Sequence, residues 1–312
     1  MKEYCFGIDV GGTTIKIGFF KNNGEVLDKW EITTRTENFG ENILADICEA
    51  LEGKLVKEGI SLDEIEGIGI GLPGPVLADG TVLQCVNLGW GTFNVEQKLS
   101  EMFHGIKVKA GNDANVAALG EMWQGAGKGT KNMVMVTLGT GVGGGVIVNG
   151  QIVAGAHGAG GEIGHIPVRD DEQLRCGCGK SDCLEMYASA TGIVSLTKRA
   201  LAASDRPSSL RALPEQSAKD TFDAAKAGDA LALEIVEEFG EILGRGLAEI
   251  AGVVDPQTFV IGGGVSKAGT IILDVVKKYY ARHAFHACRD VEFQIARLGN
   301  DAGIYGCVQM IL

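Results

Sequence analysis

No stretch of this sequence that is free of glycine and charge is long enough to cross a bilayer. The first residues, MKEYCFGIDV, run straight into an apolar strand and lack the basic segment, long apolar core and small-residue cleavage site of a secretory leader. A protein without a membrane partner that stays in the cytoplasm is expected, its eight cysteines remaining thiols or binding metal. Positive charge is scarce. With 28 Lys and Arg against 40 Asp and Glu the net charge is −12, so a nucleic acid would be repelled over most of the surface. A GxxxxGK[ST] loop is missing as well, which excludes a Walker-type nucleotide site.

What the chain has in excess is glycine, 47 of 312 residues, about twice average usage. The glycines fall at the ends of apolar, strand-like runs, where they mark sharp turns and close backbone approach. YCFGIDVGGTTIKIGFFKNNGEVLDKWEI reads as strand, Gly turn, strand, Asn-Gly turn, strand, and Met133 to Gly155 repeats the pattern. This implies a duplicated module opening each of two α/β domains, with ligands in the cleft between them. Helical spacing is read at Gly40–Glu58, Val95–Met102, Asn112–Met122, Leu184–Leu201, Asp220–Val254 with a break at Gly228, Ile271–Arg282 and Ala302–Met310. Strands are read at Ile65–Leu72, Val108–Ala110, Thr258–Ile261 and Val291–Ala296, and an exposed loop at Arg206–Glu215.

Three glycine turns offer backbone N–H groups to an anion. In the first, Asp9 precedes Gly11 and Gly12, and Thr13, Thr14 and Lys16 add side-chain donors; an ordinary tight hairpin explains it equally well. The second carries Thr140 and Gly141. The third, Gly262, Gly263 and Gly264, sits between a strand and a helix and suits adenosine. Between the first two lies Gly111-Asn112-Asp113-Ala114. An Asn-Asp pair before an apolar helix can be no more than a cap. Beside phosphate turns, Asp113 is the expected general base for phosphoryl transfer to a hydroxyl, and Asn112 an orienting donor.

His165, Cys176, Cys178 and Cys183 have the composition of a closed, structural Cys3His zinc site; clustering of reduced cysteines by chance is the alternative. Glu162 and Glu185 flank this segment and suit bidentate acceptance from vicinal hydroxyls, while the second imidazole nitrogen of His165 can serve another. The zinc loop would then be one wall of a sugar pocket.

These residues resemble a ROK-family sugar kinase of the hexokinase, Hsp70 and actin-like superfamily. The resemblance rests on DVGGTTIKIG, LPGPV, Asn87-Leu-Gly-Trp90, GNDANVAALGE, LGTGVGGGVIVNG, GEIGH, CxCG with the third Cys and Glu185, and IGGGVS. It implies an actin-like (ribonuclease H-like) fold with a small domain at 1–112, onto which a helix at 300–312 packs back, and a large domain at 113–299 with zinc loop 165–183. It also implies Mg-dependent phosphorylation of a hexose by ATP, usually at O6, and a homodimer. HGAGGEIGHI and Ala188-Ser-Ala-Thr-Gly192 are most similar to the glucokinase branch, so glucose is the expected substrate. Alternatives are N-acetylglucosamine, N-acetylmannosamine, mannose or fructose as acceptor, polyphosphate as donor, or a sugar sensor without catalysis. No helix-turn-helix stands ahead of the first strand in this sequence, so the kinase branch is expected rather than the family's repressors. One departure is Asp182, where the family usually has Gly before the third Cys.

Overall fold

The computed structural model describes residues 2–170 and 174–312, so part of the segment 165–183 lies outside the described residues. β1 (Tyr4–Val10) and β2 (Thr14–Lys21) form an antiparallel hairpin around the first glycine turn, with Asp9 opposite Lys16. β3 (Val26–Thr33) alternates half-buried and exposed residues, as an edge strand with one covered face does. α1 (Glu37–Gly40) is a turn rather than a regular helix, because Asn38 and Phe39 adopt φ of 50° and 60°. The helix expected from Gly40 therefore starts later, as α2 (Ile43–Glu58), and stops at Gly59 in the left-handed conformation. β4 (Ile65–Leu72), a ribbon of β5 (Thr81–Val82) and β6 (Phe93–Asn94), α3 (Val95–Met102) and β7 (Val108–Asn112) complete this half.

α4 (Asp113–Gln124) leads to β8 (Met133–Leu138), β9 (Val142–Val148) and β10 (Gln151–Ile152), which repeat the opening hairpins. α5 (Glu185–Ala188) and α6 (Ala190–Ala203) follow the cysteine-rich segment. Sequence periodicity joins these two into one helix; buried Ser189 separates them, its side chain accepting from the Gly192 N–H at 3.0 Å. The expected loop at 206–215 contains a 3-10 turn, Ser209–Ala212, that buries Leu210. α7 (Ala218–Lys226), α8 (Ala230–Val254), β11 (Thr258–Gly262), α9 (Thr270–His283), β12 (Glu292–Ile295) and α10 (Ala302–Gln309) complete the chain.

The two five-stranded sheets have the orders β3-β2-β1-β4-β7 and β10-β9-β8-β11-β12, the same topology strand for strand. In each, an antiparallel hairpin precedes two parallel additions. Separate apolar cores accompany them. One contains Phe6, Ile17, Ile47 and Leu99, and the other Val136, Leu196, Phe239 and Phe259. Between the sheets, α4 crosses α10 at very short range: a Cβ on Gly120 would collide with the Ala302 carbonyl, and one on Gly306 with the Val116 carbonyl. α10 covers the outer face of the first hairpin, where Ile304 and Val308 bury Cys5 and Phe20. Among the described residues no helix is long and apolar enough to cross a membrane.

Candidate active site

Both sheets end their central strands at one cleft. A cavity of about 550 Å³ is lined by Asp9 and Lys16 from the first hairpin, Asp113 and Ala114 from the start of α4, Gly263 and Gly264 after β11, and Asn300 and Gly303 at the start of α10. A second, about 420 Å³ and mostly apolar, lies between Gly139 and Thr140, Val265 and Ala268, and Phe222 of α7. Gly264 and Lys267 line both. The third glycine turn is thus the partition between a charged chamber and an apolar one.

Gly263 has φ of 82° and passes so close to Leu138 that a Cβ would come within 2.5 Å of its carbonyl oxygen, so glycine is required there. Gly262 is buried in β11 beside Thr137 of β8 and offers no free surface. On the first turn Gly12, Thr13 and Thr14 are exposed, and the Gly11 N–H is already used by the Thr14 carbonyl at 3.0 Å. In the second turn Gly141 lies hard against the Glu185 carboxylate.

Asn112 caps α4, its side-chain oxygen accepting from the N–H groups of Ala114 and Asn115 at 3.1 and 3.2 Å, while its amide donates to the Gly74 carbonyl at 3.3 Å. Asp113 accepts from the Ala114 N–H at 2.7 Å and from the neighbouring Asn112 side chain, and it lines the cavity. Burial holds the Asp113 carboxyl above the ordinary carboxylate range, and the nearby Glu162 charge adds to this. Burial, then the Asp113 charge, pushes Asp9 up to about 6 against the pull of Lys16. Asp113 therefore stands within electrostatic reach of Asp9 on the first-hairpin side and Glu162 on the other.

A carboxyl that holds its proton more tightly folded than unfolded opposes folding once it ionises. For Asp9 that stability is present below about 4 and lost as pH rises through about 6. Asp9→Asn is accordingly expected to stabilise the unliganded protein at pH 8 by up to about 3 kcal/mol, at about 1.4 kcal/mol for each pH unit separating the folded and unfolded values, and by less at pH 4.5. Melting curves at the two pH values check this; an equal or negative effect at pH 8 contradicts it.

His165, Cys176, Cys178 and Cys183 offer ligand atoms that all lie within 4.8 Å of one another. Cys178 and Cys183 sulfurs are 3.6 Å apart, and Cys176 Sγ is 3.5 Å from His165 Nδ1. A tetrahedral zinc with Zn–S of about 2.3 Å and Zn–N of about 2.0 Å requires edges of about 3.8 and 3.5 Å, so the donor set and its spacing fit the ion. Nδ1 faces the sulfurs, while Nε2 lies 3.8 Å from Glu162. Glu185 spans the remaining seam, one oxygen accepting from the Val142 N–H at 3.0 Å and the other 3.8 Å from Cys176 Sγ. Asp182 sits at φ of 57°, in the region that favours glycine. Its carboxylate is held by the Tyr187 hydroxyl at 2.5 Å, a compensation glycine could not provide. The other five cysteines are buried core residues; burial raises Cys5 to about 12 and Cys48 and Cys85 to about 11, which keeps these thiols protonated.

Sequence reasoning passes over Lys267, which stands three residues past the third glycine turn and lines both chambers. A cation beside a glycine turn is the signal that could have found it. Lys267→Ala is expected to raise Kd for a nucleotide roughly tenfold, the loss of one charge-assisted contact of about 1.5 kcal/mol. Titration with a labelled nucleotide measures it, and unchanged affinity removes Lys267 from the site.

Glucokinase of Halalkalibacterium halodurans is 45% identical over 311 residues, spanning 97% of this chain and 93% of that protein. Glucokinase of Streptomyces coelicolor is 37% identical, spanning 97% and 96%. Among solved structures, a ROK family glucokinase from Streptomyces griseus in complex with glucose and AMPPNP superposes with a TM-score of 0.74 at 33% identity, over 98% of each chain. The ROK family model matches residues 5–312, and with it the chain is identified as a member of the ROK family.

Proposed function

We propose that this protein transfers the γ-phosphoryl group of MgATP to O6 of glucose. The observation that carries the reading is the position of Asp113, in one cavity with Asp9 and Lys16 and within the field of Glu162. The neighbour solved with glucose and AMPPNP supports the same pair of ligands. Adenosine would occupy the apolar chamber between Thr140, Phe222 and Val265, and the phosphates the charged one, with Gly264 and Lys267 between them. Asn112, Glu162, His165 Nε2 and Glu185 would orient the sugar so that its hydroxyl reaches the Asp113 carboxylate. As the hydroxyl oxygen bonds to phosphorus and the bond to ADP breaks, Asp113 takes the hydroxyl proton. A zinc ion on His165 Nδ1 and three thiolates would supply only a rigid anchor for Glu162 and Glu185.

In this reading residues 1–112 with the last helix form one domain and 113–299 the other, closing on the sugar. Gly158 supports this, since it approaches the other half so closely that a Cβ there would come within 3.2 Å of Pro75 and 3.3 Å of the Val76 carbonyl. A cytoplasmic homodimer completes the proposal; a monomer mass by light scattering at micromolar protein would overturn the dimer.

The test is ADP production from MgATP against glucose, mannose, fructose, glucosamine, N-acetylglucosamine and N-acetylmannosamine. The highest kcat/KM is expected for glucose. A preference for an N-acetyl sugar replaces the acceptor and keeps the mechanism, and no sugar-dependent turnover leaves a sensor.

A further inference from the structure

α4 holds Asp113 at its first position, and at its last turn it carries a second carboxylate of a different kind. Glu121 is completely buried, yet no basic side chain pairs with it among the described residues. Its carboxylate is satisfied by backbone alone. Oε1 accepts from the N–H groups of Leu298 at 2.7 Å and Arg297 at 3.0 Å; Oε2 accepts from Arg297 at 3.1 Å and Ala126 at 2.7 Å. Arg297 and Leu298 belong to the connection between β12 and α10. On either side of them, Ile295, Ala296, Gly299 and Asn300 line the charged chamber. The same connection is gripped from the other half by Lys16, which donates to the Asn300 carbonyl at 3.0 Å.

A buried carboxylate that takes three of its four N–H contacts from a cleft-lining segment, and the fourth from Ala126 just past its own helix, fixes where that segment lies. We propose that Glu121 is a positioning residue for phosphoryl transfer, holding the 296–300 wall of the nucleotide chamber in register with Asp113 through the body of α4. One helix then sets the general base at its start and the nucleotide wall at its end. The inference rests on the kinase reading above, and the two fail differently: without kinase activity the parent protein makes no sugar-dependent ADP, whereas without a role for Glu121 the parent turns over and the variants match it.

Glu121→Gln keeps the volume but leaves a single acceptor oxygen among three amide donors. The expected result is a KM for MgATP raised at least about fivefold, the equivalent of one lost hydrogen bond. kcat should fall about tenfold or more from misplacement, with KM for glucose held within about twofold. Gly125→Ala is the second variant, because its Cβ would press on Glu121 Oε2 without changing any charge; the same split is expected. Val276→Ala, fully buried in α9 away from the cleft, provides a destabilised control. The proposal is overturned if both Glu121→Gln and Gly125→Ala retain parental KM and kcat. It is equally overturned if Val276→Ala, at a matched loss of Tm, reproduces the MgATP effect.

Discussion

Asp113→Asn is expected to lower kcat for glucose phosphorylation by at least about 10²-fold, the usual contribution of a positioned base, while glucose still binds. The two expectations separate because the substitution is nearly isosteric. Asn keeps an oxygen that accepts from the Ala114 N–H, so the first turn of α4 and the Asn112 cap survive. What it loses is the ability to take a proton. Because burial raises the Asp113 carboxyl, ionised Asp113 opposes folding at neutral pH, and the Asn variant should melt no lower than the parent there. Single-turnover phosphorylation with saturating MgATP, together with equilibrium glucose binding and a melting curve, measures all three. Turnover near the parental rate would remove Asp113 from the role of base. A joint loss of binding and stability would show instead that it is a cap.

Removal of zinc should have the next largest effect. Cys178→Ser, or chelation verified by metal analysis, is expected to raise KM for glucose at least about tenfold, ~1.4 kcal/mol, and to lower Tm by several degrees. His165 and Glu185 both lie against the cluster, so without an ion bridging the four donors nothing would hold His165 and the cysteines together and the proposed sugar wall would lose its anchor. Cys178 is the informative ligand because it is exposed, and its serine leaves the apolar core intact. Because Glu185 also holds the Val142 N–H next to the Thr140 turn, a smaller rise in KM for MgATP should accompany the sugar effect. Parental glucose affinity in protein shown to be zinc-free would end the coupling.

Much of the fold could be read from residue order, because its signals are local. The strand Ile65–Leu72 runs into the Pro73-Gly74-Pro75 turn and the helix Val95–Met102 is capped by Asn94, and the repeated hairpin pattern foreshadowed two sheets of one topology. Errors arose where one buried polar side chain interrupts an apolar period, as Ser189 does between α5 and α6. In the site, residue type and spacing marked His165 and its three cysteines, since a metal needs donors of a definite kind. Glu121 carried no such mark. On an apolar helix it resembles any solvent-facing Glu, and two of its three amide partners lie 176 and 177 positions away. Gly120 and Gly306 were equally silent, for glycine at a helix crossing looks in sequence like glycine at a phosphate turn.

The crossing of α10 over the first hairpin has a consequence for the order in which the protein can be made. Cys5 and Phe20 leave the ribosome about 280 residues or more ahead of Ile304 and Val308, the residues that cover them. At about 5–20 residues per second the gap is on the order of 15–60 s. Throughout that interval the opening hairpin presents an uncovered apolar face on an incomplete sheet. The second sheet can bury its own core while the first still waits, so during synthesis the half encoded first is the half completed last.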